Sequence, residues 1–300
     1  LKNLNIENKT YIEHEERSGM LLEELVDKYK IPLIPKEIDK IKRYIHPNPE
    51  DTNFMFQIVA NLINGIDVDK FDYLKRDCYN IGLEYSYDSS RIIKEARVID
   101  GDICYPVKLA HQISNLYQVR YRLHKEIFQH PALKAIDFMI ADVLILLSNI
   151  PKYIDFAKDI ETIDFVKYSD NIIDSVKYFT EDGLTEMEIE CLQSAKHLIK
   201  RIEDRNLYKY AGDYTEYPIN SKTILKIQER VMKKTKCSEN EIIIDFFKIG
   251  YGSLGIDPMS QIWFYTYSEP DVKIRLDSKK ISRLLPREYE EFIIQVFTKM

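Results

Sequence analysis

Apolar side chains recur at helical spacing through the first two thirds of the chain, in Met20–Tyr29, Phe54–Ile63, Phe71–Ile81, Leu109–Phe128, Leu133–Ser148 and Met187–Ile202. Residues three and four apart share one face of a helix, so each run predicts a helix with a buried stripe. Proline and asparagine clusters punctuate the runs, as in HPNPED at 46–51 and NIPK at 149–152, where the chain must turn. One stretch breaks the pattern. Arg97–Tyr105 alternates around Asp100-Gly101, and such a pair between alternating segments predicts a two-residue hairpin.

Past Arg205 the texture changes. A tyrosine-rich connector, LYKYAGDYTEYPINSKT, leads to strand-like runs at EIIIDFF (241–247), IWFYTY (262–267) and VKIRL (272–276). Amphipathic spacing over Arg287–Lys299 predicts a closing helix. The expectation is a mainly α chain, with a helical domain and one small hairpin over residues 1–204. A smaller mixed α/β lobe follows over 205–300.

Composition narrows the function classes. With 45% hydrophobic and 31% charged residues, the chain reads as an ordinary globular protein. Its 43 basic and 49 acidic side chains leave a net charge of −6, which gives no sign of a dedicated nucleic-acid binder but leaves room for a local basic pocket. Cys78, Cys104, Cys191 and Cys237 form no CxxC pair, so neither a disulfide framework nor a cysteine-built zinc site is expected. The longest apolar run, Val143–Leu147, is far too short for a membrane span. A soluble protein of the cytoplasm or nucleus is expected. The chain begins at Leu1 rather than methionine, which fits a fragment of a longer protein.

Two stretches concentrate reactive side chains. In NGIDVDKFDYLKRDCYNIG (64–82) Asp67 can cap the following helix. Lys70, Tyr73 and Asp77 then share one face, with Asp69 a turn before Tyr73. In QVRYRLHKEIFQH (118–130) Arg120, His124 and Phe128 recur at i, i+4 and i+8, and the arginine fork suits phosphate oxygens. Spacing alone fits two readings in each case: the wall of a polar pocket, or a solvated helix face with paired charges.

These strings resemble signatures of the HD-domain deoxynucleoside triphosphate (dNTP) triphosphohydrolases, among them the eukaryotic members with sterile-alpha-motif and HD domains. The resemblance implies an HD-domain helical core and a reaction that releases triphosphate and a deoxynucleoside. In it, water attacks the α-phosphate with a divalent metal (Fe, Mn, Zn or Mg) polarising the phosphate. It further implies that Asp69 is the last ligand of that metal and that Lys70 contacts the triphosphate. Tyr73 would pack against sugar and phosphates, and Asp77 would accept from the 3′-hydroxyl. Arg120 and His124 would face the triphosphate, and Gln129 the base. Phe128 stands where the family usually has tyrosine beside the sugar. His14, in a shorter H-E-x-x-S match, is either a general acid near the scissile phosphate or a structural, helix-capping residue.

Further similarity runs through SYDSSRIIKEARV (86–98), Lys108, RNLYKYAG (205–212) and SRLLPREYEEFIIQVFTK (282–299), so that it covers most of the chain from near Tyr11. In the family these regions build an allosteric site, which implies a GTP or dNTP activator held by Arg91, Lys108, Arg205 and Lys209 in a homo-oligomer, dimer or tetramer. Pro106 and Pro131 replace basic residues there, which predicts an altered or absent activator site. The H…HD ligands are missing: no His-Asp dipeptide occurs among the residues around the six histidines. The chain alone is therefore expected to be inactive, its metal site incomplete. Two alternatives stand beside the enzyme: a non-catalytic nucleotide-binding regulator on the same scaffold, and a single-stranded nucleic-acid binder.

Overall fold

A computed structural model of the chain describes residues 14–84, 87–154, 163–214, 221–251, 255–277, 281 and 288–300. The parts of the sequence readings that fall on residues 11–13, 86, 215–220 and 282–287 lie outside these. In chain order the helices are α1 (His14–Tyr29), α2 (Pro35–Ile45), α3 (Phe56–Val59), α4 (Val68–Asn80), α5 (Ser89–Glu95), α6 (Ala110–Arg122), α7 (Pro131–Leu147), α8 (Asn171–Ser175), α9 (Glu186–Glu203) and α10 (Ser221–Thr235). The strands are β1 (Arg97–Ile99), β2 (Asp102–Pro106), β3 (Lys209–Tyr214), β4 (Ile242–Gly250), β5 (Trp263–Tyr265), β6 (Ile274–Arg275) and β7 (Glu290–Thr298). The architecture is mainly α with two small sheets, as the periodicity predicts. No helix among the described residues is long and apolar enough to cross a membrane.

The chain divides into two compact units, neither of them continuous in sequence. One comprises Leu1–Ile38, Gln129–Phe246 and Ile294–Met300; the other comprises Asp39–Phe128 and Phe247–Ile293.

In the second unit, the predicted hairpin forms between β1 and β2, with Val98 opposite Ile103. Asp100 and Gly101 both take positive φ, 47° and 79°, the backbone that a two-residue turn of the primed type requires. The hairpin continues into a four-stranded sheet, β1-β2-β5-β6, in which β2 and β5 are parallel. Helices α4 and α6 complete the core. Leu74, Ile92, Leu109, Ile113, Leu123, Ile262 and Phe264 are all fully buried in one cluster. On α4 the buried Phe71, Leu74 and Cys78 fall at i, i+3 and i+7, which points the adjacent Lys70 and Tyr73 along the flank of the core.

In the first unit α7 and α9 pack together, burying Val143, Leu147, Leu192, Ala195 and Ile199. Thr185 and Glu188 close the start of α9 with a capping box, satisfying two backbone donors reciprocally. The second sheet has the order β3-β7-β4. Here the sequence expectation of a closing helix over Arg287–Lys299 is corrected: Glu290–Thr298 is a strand. Ile294 and Val296 pack on Ile227 and Val231 of α10, while Phe297 packs on Ala135 and Met139 of α7. Because both faces of the strand are covered, apolar residues stand at consecutive positions, Phe292-Ile293-Ile294 and Val296-Phe297, which hides the strand's alternation. The expected helix at Phe54–Ile63 shrinks to the single turn of α3.

Candidate functional site

The site begins with the turn before α4. Asn61 Nδ2 donates to Asn64 Oδ1 (2.8 Å) and to the Ile66 carbonyl (3.1 Å), and the Tyr117 hydroxyl donates to the Asn64 carbonyl (2.7 Å). This network fixes the turn. Asp67 then caps α4, its Oδ1 accepting from the Lys70 backbone N–H at 3.0 Å, as the sequence predicts. Its other oxygen accepts from the Lys70 ammonium at 2.7 Å. That pairing is absent from the sequence reading, which gave Asp67 a capping role alone.

Along α4, Tyr73 turns toward the end of α6. Its hydroxyl lies 3.4 Å from His124 Nε2, within reach of the Arg120 charge. After Arg122 the helix widens into a π-helix over Leu123–Phe128, a distortion that often marks functional positions. It carries His124 and Phe128, whose rings meet edge to face at 5.1 Å; Tyr73 lies 6.4 Å from each. Arg120 donates through Nη1 to the Gly250 carbonyl. Its Nε is buried without a partner among the described residues. Gly250 has room for no side chain, because a Cβ there would stand 2.7 Å from the Tyr289 carbonyl oxygen. The residue that holds Arg120 is thus 130 positions away, which no spacing argument could find.

The electrostatics follow from this crowding. Burial, then the Arg120 and Lys70 charges, push the His124 imidazole down to about 4, so the ring is neutral at pH 7. Burial raises the Tyr73 phenol, with Arg120 opposing and Asp69 reinforcing. Tyr73, His124 and Phe128 therefore come together, and the Arg120 and Lys70 charges both act on His124. Asp69 lies exposed in the first turn of α4 and bears on Tyr73 through its charge. Asp77 stays on its own helix, 3.8 Å from Arg76 Nε. His14 and Gln129 belong to the other unit. There His14 opens α1, exposed, with Nε2 at 3.1 Å from Glu15; the Gln129 carbonyl accepts from Gln295.

A divalent metal needs several hard donors. Among the described residues no group of three or more His, Cys, Asp or Glu side chains is placed to hold one. Asp69 is a single exposed carboxylate, so the residues described do not make up a metal site.

The residues expected around an activator nucleotide fall in two sets. In the second unit, Arg91 (Nε, 3.0 Å) and Lys108 (Nζ, 2.8 Å) both bind the Glu95 carboxylate, which also accepts from the Tyr267 hydroxyl. Lys108, Tyr267 and Arg91, in that order, hold the Glu95 carboxyl down at about 2. These two cations already have an internal counter-ion, instead of repelling one another as free charges would. In the first unit, Lys209 opens β3. Arg205 sits just past α9 at φ 58°, where its N–H reaches the Ile202 carbonyl and that of Asn206 reaches Arg201, a left-handed helix stop. The two prolines have local roles. Pro131 takes the first position of α7, which needs no N–H, and Pro106 ends β2 opposite Tyr265.

No family model matches the chain. It is 30% identical to the human deoxynucleoside triphosphate triphosphohydrolase SAMHD1, over 95% of its own length and 52% of that protein. The SAMHD1 homologue of Dictyostelium discoideum is also 30% identical, over 84% of the chain and 47% of that protein. An HD domain-containing protein, L394, of Acanthamoeba polyphaga mimivirus is 28% identical over 95% and 64%. The chain spans about half the length of the SAMHD1 relatives it matches. Along most of its length, therefore, the chain is similar to proteins named as dNTP triphosphohydrolases and to one named as an HD domain-containing protein.

Proposed function

We propose that the cluster of Lys70, Tyr73, Arg120, His124 and Phe128 binds the triphosphate and sugar of a dNTP, and that the chain is part of a dNTP triphosphohydrolase. The observation that carries this reading is the meeting of two cations with a neutral histidine and two aromatic rings, supplied by separate helices. Lys70 and Arg120 offset the charge that builds on phosphate oxygens as the bond to the sugar 5′-oxygen breaks. The neutral His124 ring, beside Tyr73, supplies a hydrogen-bond donor or acceptor without adding a third repelling charge. Phe128 and Tyr73 offer apolar walls to the sugar, and the bulk of Phe128 disfavours a 2′-hydroxyl. The family implies a divalent metal, whose chemistry would be to polarise the scissile phosphate; Asp69 is the residue here proposed to contribute to it. Asp77, on the same helix as Lys70 and Tyr73, keeps its proposed role as 3′-hydroxyl acceptor. An activator nucleotide at Arg91, Lys108, Arg205 and Lys209 of an oligomer is the finer proposal, weakened by Glu95.

The test is calorimetric titration of the chain with inorganic triphosphate and with dGTP, GTP and a single-stranded oligonucleotide. Replacing Lys70 or Arg120 by alanine should weaken triphosphate binding at least about ten-fold, since a charge-assisted hydrogen bond is worth about 1.5–3 kcal/mol. dGTP should bind more tightly than GTP. Undiminished affinity in both variants, or salt-sensitive binding of the oligonucleotide alone, would overturn the reading.

A further inference from the structure

Beside the cluster lies a carboxylate more deeply buried than a helix cap needs to be. The Asp67 side chain is 0% exposed, while that of its partner Lys70 is 20% exposed. Three donors converge on it: the Lys70 N–H at 3.0 Å, the Asn61 N–H at 2.9 Å and the Lys70 ammonium at 2.7 Å. Capping alone requires one acceptor, which serine or asparagine supplies as well. An ionised carboxylate removed from water is costly and persists only when paired and fully hydrogen-bonded. The frame around it is stiff, because Asn61 is tied to Asn64 and Ile66, and Asn64 to Tyr117.

The consequence falls on Lys70. A lysine side chain has considerable rotamer entropy to lose when it is held in one pose. Asp67 has already taken that freedom, and it uses one of the three ammonium donors. The other two remain for a ligand, and the Lys70 charge reaches His124.

We infer that Asp67 is a positioning residue for phosphate recognition, holding the Lys70 ammonium in its binding pose before the ligand arrives. The inference rests on the triphosphate reading of the cluster. It makes a prediction opposite in sign to simple electrostatics. Removing a negative charge beside an anion site should tighten polyanion binding; removing a positioning group should weaken it.

The experiment is titration of inorganic triphosphate into the full chain and into Asp67→Asn, Lys70→Ala and the double variant, each checked by thermal melting. Asparagine keeps both shape and cap; should Asp67→Asn fail to fold, Asp67→Ser keeps the cap with less bulk. We expect Asp67→Asn to weaken binding about ten-fold, and to have no further effect once Lys70 is alanine, because the double-mutant cycle then assigns the loss to the pair. Unchanged or tighter binding in Asp67→Asn overturns the inference. So does an equal loss in both backgrounds, since Asp67 would then act through the fold. If Lys70→Ala leaves triphosphate affinity untouched, the site reading falls and the inference with it. Loss in Lys70→Ala without loss in Asp67→Asn overturns the inference alone.

Discussion

Acidification from pH 7 to pH 5 probes the cluster through a single ring. In the folded chain the His124 imidazole titrates at about 4, against 6.5 for an unperturbed histidine. Between those values the unfolded chain carries a proton that the folded chain does not. Stability is therefore lost as pH falls through 6.5, and the loss is complete near 4. At pH 5 the linkage amounts to about 2 kcal/mol. The ring is only partly buried, and solvent screening brings the expected loss nearer to about 1 kcal/mol. Urea melts of the chain and of His124→Gln at pH 7, 6 and 5 isolate this contribution, because carboxylates such as Glu95 titrate in both proteins and cancel in the difference. The stability of the wild-type chain relative to the variant should fall by about 1 kcal/mol or more from pH 7 to pH 5. A difference that stays constant within a few tenths of a kcal/mol across that range would refute the reasoning. A phosphate ligand supplies the complementary check. It offsets the Arg120 and Lys70 charges, so triphosphate binding at pH 5.5 should take up protons, seen as a dependence of the calorimetric heat on buffer ionisation.

Four further outcomes follow from other positions. Gly250→Ala places a Cβ against the Tyr289 carbonyl, so it should cost about 1–3 kcal/mol in urea melts and weaken triphosphate binding by shifting the acceptor of Arg120. Arg205→Gly relieves the left-handed backbone at φ 58° and should stabilise the chain by up to about 1 kcal/mol; a loss would show that the arginine side chain outweighs its backbone. Glu95→Gln weakens the internal counter-ion of Arg91 and Lys108, so GTP affinity measured in an Arg120→Ala background should rise roughly ten-fold, and unchanged affinity would count against a nucleotide site there. Phe128→Tyr adds one neutral hydrogen bond, worth about 0.5–1.5 kcal/mol, and should tighten dNTP binding by roughly ten-fold at most in calorimetry.

Features set by near neighbours were legible in the sequence. Asp67 three residues before Lys70, the Phe71-Leu74-Cys78 stripe and the Asp100-Gly101 turn each specify their own local geometry. The stripe of Lys70 and Tyr73 on α4, and that of Arg120 and His124 at the end of α6, were legible for the same reason. What failed was set at a distance. β7 looked helical because α10 and α7 cover its two faces. α10 itself was overlooked behind a tyrosine-rich connector. α2 was also missed, having no fully buried residue to print a strong stripe. The Gly250 grip on Arg120 and the hold of Tyr267 on Glu95 join residues more than a hundred positions apart, where sequence spacing carries no information.

The discontinuous make-up of the second unit sets a timetable for its synthesis. Its first segment ends at Phe128 and its second starts at Phe247, with 246 − 128 = 118 residues of the other unit between them. At about 5–20 residues per second, a ribosome takes roughly 6–24 s to cross that interval. Throughout it, α4 and α6 are already made, while Met259, Ile262 and Phe264, which close their core, do not yet exist. The nascent chain must therefore hold Leu74, Ile113 and Leu116 exposed for that time, or lend them to a chaperone. Slowing translation between residues 128 and 247 should lower the yield of folded protein more than the same delay placed after residue 293.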